Sequence, residues 1–208
     1  MTTAGPGSAP VRASPGRPSS GARERVLEAG LEVLKADGYA GLTTAKVAAH
    51  SGQNKALIAY HFGSKQGLVA AVGREVSTSI TEEVLGGLGD ADSVERLVGG
   101  VLEGLWRVMD RDCRLARLYF DLSAVSVVEP DVRAVMREMK DTWRTVLTGL
   151  LREAGDGPGE QNAEIGAVYL MAGLQGLMLE RLDLGASAAL EGACDMFVRS
   201  ATQAVRGS

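Results

Sequence analysis

The chain has 208 residues, and its 22 Lys and Arg against 26 Asp and Glu leave a formal net charge of −4, which read alone argues against a nucleic-acid binder. The charge is unevenly spread: residues 1–74 carry a balance of +5 and residues 75–208 a balance of −9, so the two segments should meet different partners. With 45% hydrophobic residues the chain can bury a core, and its longest uncharged apolar stretch, Ile165 to Leu179, is fifteen residues, short of the roughly 20 that a membrane-spanning helix needs.

No membrane partner is therefore expected. Two cysteines, Cys113 and Cys194, are too few for a disulfide framework and read as ordinary packed thiols. The N-terminus lacks the long apolar run of a secretory signal, and the expected compartment is the cytoplasm.

Residues 1–19 hold four of the six prolines, with Gly, Ser, Arg12 and Arg17 but no acid. Such a segment offsets too little of its ordering entropy and is predicted to be a flexible basic tail whose arginines can reach a phosphate backbone. From Ser20 the pattern turns helical. Val26, Ala29 and Val33 form one stripe and Leu27, Leu31 and Leu34 a second, and Gly38 is suited to end a helix over Ser20 to Asp37. Thr43 or Thr44 can cap a short helix that Ser51-Gly52 breaks, and a second short helix runs from about Gln53 to Tyr60. Ser64 then caps a longer helix bearing Leu68, Val69, Val72, Val76 and Ile80 at three- and four-residue spacing. Five more helices are predicted over about Ala91–Met109, Asp112–Val127, Pro130–Ala154, Glu160–Leu182 and Ala186–Val205. The only β-branched cluster, Val125 to Val128, is too short to build a sheet.

The fold class is accordingly all-α. An N-terminal three-helix module over residues 20–74 is linked by the fourth helix to a C-terminal helical domain over residues 75–208.

The stretch from Thr43 to Phe62 has the spacing of a helix-turn-helix, whose second helix can lie in the major groove while the first crosses the phosphates. Val47, Ala48 and Ile58 are placed to pack the two helices together. Asn54 and Lys55 start the second helix, where they can reach adenine and guanine edges, and Leu57 can touch a thymine methyl. Tyr60, His61 and Lys65 suit phosphates near free helical N–H groups, and Thr44 offers a hydroxyl and a helix N-terminus. Tyr39 and Phe62 read as core.

The run Gly38-Tyr39, Leu42-Thr43-Thr44, Val47-Ala48, Ser51-Gly52, Tyr60-His61-Phe62, Ser64-Lys65 and Gly67-Leu68 resembles the DNA-binding domain of the TetR family of one-component transcriptional regulators. The resemblance covers Arg25 to Val72. It departs at Gln53, Ala56 and Ala59, where the family usually has an apolar, a small and often an aromatic residue. The resemblance implies a homodimer that binds a pseudo-palindromic double-stranded DNA operator and whose C-terminal domain takes a small-molecule effector. A repressor is the expected form.

Within that C-terminal domain, a pocket needs apolar walls and a few orienting polar groups. Trp106, Met109, Tyr119, Ser123, Met136, Met139, Trp143, Tyr169 and Gln175 sit at spacings that can converge on one, although any of them can equally fill a core. The last two helices place small residues close together, and the family's last two helices form its dimer interface. Gly166, Tyr169, Ala172, Gly173, Gly176, Ala193 and Phe197 match that role by position, in an intermolecular four-helix bundle. Only His50 and His61 are available as histidine ligands, and no Cys or carboxylate joins them with ligand spacing, so neither a metal, a cofactor nor catalysis is expected. The rival readings are a DNA-binding dimer without an effector and, more remotely, a helical enzyme.

Overall fold

Caps and glycines set most helix ends in this chain. The structure, a computed structural model, describes residues 20–89, 92–157 and 159–206; the basic tail expected over residues 1–19 lies outside them. Among the described residues there are nine helices and no strand: α1 Ser20–Gly41, α2 Thr44–Ser51, α3 Lys55–Phe62, α4 Lys65–Gly86, α5 Val94–Arg111, α6 Cys113–Val125, α7 Pro130–Glu153, α8 Glu160–Leu184 and α9 Ala188–Arg206.

The local chemistry explains the boundaries. Gly38 takes φ 66°, ψ −174°, a conformation open to glycine, so the end expected after Asp37 is a kink followed by a last turn to Gly41. Thr43, not Thr44, caps α2 by accepting the Lys46 N–H at 3.2 Å, and Ser64 caps α4 by accepting the Gly67 N–H at 3.0 Å. Helix α5 begins at Val94 rather than Ala91. Its start is held by the Ser93 hydroxyl, which accepts the Arg96 N–H at 3.4 Å, and by the Asp156 carboxylate, which accepts the Val94 N–H at 2.8 Å. Asp112 ends α5 and caps α6. Helix α6 stops at Val125, and Val127 and Val128 lie exposed in the turn that follows.

Two apolar clusters organise the packing. The first joins Val26, Val33, Leu34, Val47, Ile58 and Leu68 of α1–α4, and continues into Leu118, Tyr119 and Leu122 of α6 and Val132, Met136 and Met139 of α7. The second draws on α5, the end of α7, α8 and α9, with Val84 from the far end of α4. Trp143 packs against both. The N-terminal helices therefore do not close their core alone, because α6 and α7 complete it.

An ion-pair network ties α1 to the start of α6. Lys35, its side chain 9% exposed, lies 2.5 Å from Glu32 and 2.8 Å from Asp112. Arg114 pairs with Asp112 at 2.8 Å and reaches Glu32 at 3.5 Å. Hydrogen bonds from Arg114, then from Lys35, outweigh burial and hold the Asp112 carboxyl well below the usual carboxylate range. Burial works against the Lys35 ammonium, but Asp112 and Glu32 raise it overall.

Candidate DNA-contacting face and interior cavity

The helix-turn-helix buries Val47 and Ile58 and packs Ala48 against the same core, as their spacing predicts. Gly52, at φ 66°, makes the turn. Thr44 and Lys55 are exposed, Tyr60 is 72% exposed, and Leu57 is half-buried at the edge of the same helix. Asn54 is the cap of α3: its Oδ1 accepts the Leu57 N–H at 2.8 Å, which leaves the amide NH2 for any nucleic-acid contact.

Two expected contacts are more deeply engaged than their positions imply. His61 is half-buried between Tyr60 and Phe62, with ring centroids 5.2 and 6.2 Å away, and its Nε2 is sealed from solvent without a hydrogen-bond partner. Lys65 donates from Nζ to the Tyr39 carbonyl at 2.7 Å and sits 4.1 Å over the Tyr39 ring. That ammonium is engaged, at least in part, with the α1 kink. Gln53 turns back on the break between the helices, donating its backbone N–H to Ser51 Oγ at 3.3 Å and its Nε2 to the Ser51 carbonyl at 3.4 Å. Lys46 and His50, both exposed on α2, add basic groups that spacing alone did not single out; Lys46 pairs with Asp37 at 2.8 Å. From α6, the Asp121 carboxylate accepts the Tyr39 N–H at 2.8 Å.

Helices α4 to α8 line a partly open cavity of about 110 Å³. Met109, Tyr119, Trp143 and Gln175 line it, four of the residues predicted to converge. The others lie elsewhere, for reasons of helical phase. On α5, Val101, Leu105, Val108 and Met109 take the cavity side, so Trp106 turns to a separate, polar cleft where the Arg181 guanidinium stacks 4.7 Å over its ring. Met136 and Met139 are buried in the first cluster. On α8, Met171 and Leu174 face inward and Tyr169 is left 43% exposed. Ser123 is not part of the lining, and its buried hydroxyl lies one turn from the buried hydroxyl of Tyr119, on the side away from the cavity lining. Most of the wall is aliphatic, for example Ile80, Val84 and Leu147. Such residues read as core in a sequence, since packing and lining use the same apolar positions.

The outer face of α8 and α9 exposes Ile165, Val168, Leu179 and Met196 by more than half. Tyr169, Ala172, Gly176 and Ala193 lie exposed with them or at their edge, and half-buried Phe197 brings its ring centroid within 6.4 Å of Tyr169. Gly166 and Gly173 do not belong to this open face. A Cβ on Gly166 would meet Leu151 and Val205 at 3.2 Å, and one on Gly173 would lie 2.1 Å from the Phe197 ring. Their smallness serves packing within the chain.

Cys194 is buried, which pushes its thiol pKa up, whereas Cys113, expected to be packed, is exposed at the first position of α6. Among the described residues no three His, Cys, Asp or Glu gather as metal ligands, and no helix is long and apolar enough to cross a membrane.

Comparison with known proteins agrees with this architecture. Residues 26–72 match the family model for bacterial regulatory proteins of the tetR family. Residues 94–201, just over half of the chain, match the model described as BetI-type transcriptional repressor, C-terminal. No curated protein matches. Among solved structures, a candidate TetR-family transcriptional regulator from Rhodococcus superposes with a TM-score of 0.74 at 21% identity, over 88% of this chain and 97% of that one. FadR from Bacillus subtilis, in complex with stearoyl-CoA, gives 0.70 at 14% identity over 88% and 99%. A candidate regulator from Saccharomonospora viridis, in complex with choline, gives 0.68 at 19% over 87% and 97%. At these identities the superpositions speak for the fold, and the family models, which meet the chain at its helix-turn-helix and across α5–α9, speak for descent. The chain belongs to the TetR family and is a DNA-binding transcriptional regulator.

Proposed function

We propose that the protein is a ligand-responsive repressor that binds a pseudo-palindromic operator as a homodimer and is altered by a small molecule held in the cavity between α4 and α8. The observation that carries this reading is the cavity's position between the two apolar clusters, on helices that also hold the helix-turn-helix. Helix α4 runs from Lys65, beside Tyr39, to Thr81 and Val84 on the cavity wall. Helix α6 carries Ala116 and Tyr119 on that wall and, two residues on, Asp121 against the Tyr39 N–H. A ligand that shifts Tyr119 or Thr81 thus bears on the α1 kink from two sides. By linkage it weakens operator binding to the extent that it prefers a dimer whose recognition helices no longer match one turn of DNA, about 34–36 Å.

In this reading residues 20–74 are the DNA-binding part and residues 75–208 the effector and dimerisation part, acting in the cytoplasm. Thr44, Lys55, Leu57 and Tyr60 make the main DNA contacts, with Asn54, His61 and Lys65 contributing from more engaged positions. The open face of α8 and α9, with Tyr169, Ala172, Gly176, Ala193 and Phe197, pairs with a second copy, because a contiguous apolar face of that extent favours burial in a four-helix bundle. That relatives of this fold were solved with stearoyl-CoA and with choline supports a small-molecule effector.

Selection of genomic fragments retained by the protein, followed by footprinting, tests the proposal. The expected footprint has two half-sites related by a dyad, and Lys55→Ala and Tyr60→Ala should each weaken binding about tenfold or more. A single half-site overturns the dimer, and unchanged affinity in both variants overturns the assigned face.

A further inference from the structure

We infer that Arg23, in the first turn of α1, is a further DNA contact: it pairs with a backbone phosphate beside the end of the recognition helix, where Phe62 holds it. This rests on the reading of α2 and α3 as the DNA-contacting face.

Arg23 is exposed, and its guanidinium carbon lies over the Phe62 ring, 5.5 Å from the centroid. Phe62 is the last residue of α3, so a side chain from the start of α1 is delivered to the end of the recognition helix, beside His61 and the exposed Tyr60. Nothing there uses its charge. Among the described residues the Arg23 side chain has no ion pair or hydrogen bond, and Val26 and Leu27, three and four places on along its helix, offer no carboxylate.

A binder of duplex DNA needs free cations to replace the counterions of the phosphates. Residues 20–74 hold seven Lys and Arg, and four of them are engaged within the protein. Lys35 pairs with Glu32 and Asp112, Lys46 with Asp37 and Arg74 with Glu138, while Lys65 donates to the Tyr39 carbonyl. Lys55, Arg25 and Arg23 remain. Arg25 has Glu28 three places on along α1, and its guanidinium lies back toward Gly21, where a Cβ would meet it at 3.4 Å. Of the three, only Arg23 is fixed by a ring contact with another helix, among the described residues.

The length of α3 places that contact at a phosphate. Eight residues at a rise of about 1.5 Å cover about 12 Å, comparable with the width of the major groove. With Asn54 and Lys55 at base edges, the last turn emerges beside the strand that borders the groove. A guanidinium over an aromatic ring keeps N–H donors free at its edge, the fork that a phosphate accepts bidentately. Holding the long side chain there in advance also lowers the entropy lost on binding.

Fluorescence anisotropy of a short mixed-sequence DNA duplex with the full-length protein, over a series of salt concentrations, tests the contact, because phosphates are read without regard to sequence. Arg23→Gln should weaken binding about tenfold and flatten the slope of log affinity against log salt by roughly one unit per protomer, at an unchanged melting temperature. Arg23→Lys, which keeps the charge, should keep the slope. Arg137→Gln, an equal loss of charge on exposed α7, should leave the slope as it is. In a Phe62→Leu background, or Phe62→Met if that variant melts early, Arg23→Gln should cost less; full additivity removes Phe62 from the role. An unchanged slope in Arg23→Gln, or equal flattening by Arg137→Gln, overturns the contact. So does a loss of affinity that follows a lowered melting temperature with the slope kept, which makes Arg23 a cover for Phe62. If Lys55→Ala weakens binding and Arg23→Gln does not, the face stands without Arg23. If neither does, or the parent binds no duplex at low salt, the reading of the face itself is overturned.

Discussion

Lys55 and Lys65 bear the same side chain at the first positions of α3 and α4, but their surroundings differ. Lys55 is exposed, whereas Lys65 is half-buried with its ammonium on the Tyr39 carbonyl and ring. Lys55→Ala should leave the melting curve within about 0.5 kcal/mol of the parent's and affect only operator binding. Lys65→Ala should cost about 1–3 kcal/mol of stability even without DNA, because it removes both a charge-assisted hydrogen bond and a cation–π interaction. Thermal melts of the free protein check both. A phosphate contact alone would instead flatten the salt dependence of binding by roughly one unit with no change in melting. Nothing local distinguishes the two lysines in sequence, because the partner of Lys65 lies twenty-six residues back. Asn54 is ambiguous for another reason, since an amide that caps a helix and one that reads a base use the same chemistry.

Helix α8 shows how far element-level patterns reach. Its small residues signal close approach, and the spacing sorts them: Gly166 and Gly173, seven apart, share the inward face with Leu170, while Ile165, Tyr169, Ala172 and Gly176 share the outward one. Which surface each face meets is settled only by α7 and α9. Gly173→Ala should cost about 1–3 kcal/mol, because its methyl group overlaps Phe197 and overpacking forces that ring to move. Ala172→Glu, on the exposed face, should keep its helical circular dichroism and run as a monomer in light scattering. A persistent Ala172→Glu dimer moves the interface off α8.

The whole molecule combines a basic N-terminal part with an acidic remainder, and its first cluster crosses that division, since α6 and α7 complete it. Asp112 is one tie between them. Its carboxyl is held low by Arg114 and Lys35, so its ionised form stabilises the fold above the ordinary carboxylate range, near pH 4, and that stability is lost as pH falls through the depressed value. Asp112→Asn keeps a capping side chain but removes the charge. Near neutral pH it should lower the unfolding free energy by about 1–3 kcal/mol, between the worth of exposed and buried pairs. The difference from the parent should shrink progressively below about pH 4, where the unfolded parent takes up the proton first, and vanish once the folded carboxyl is protonated as well. Urea unfolding at a series of pH values measures it, and a difference independent of pH would assign the effect to shape rather than charge.

Much of this protein is dictated by its sequence alone. The all-helical class, the cap at Ser64, a threonine cap at position 43 or 44, the turn at Gly52 and the exposed Lys55 and Tyr60 follow from short-range rules of spacing, capping and backbone freedom, which the chain carries within a few residues. The anchoring of Lys65, the inward turn of Gly166 and Gly173, the sealed hydroxyl of Tyr119 and the choice of cavity walls over core were decided by tertiary structure. Each depends on which apolar face meets which neighbour across tens of residues, and apolar surfaces attract without direction, so only the assembled packing can choose among them.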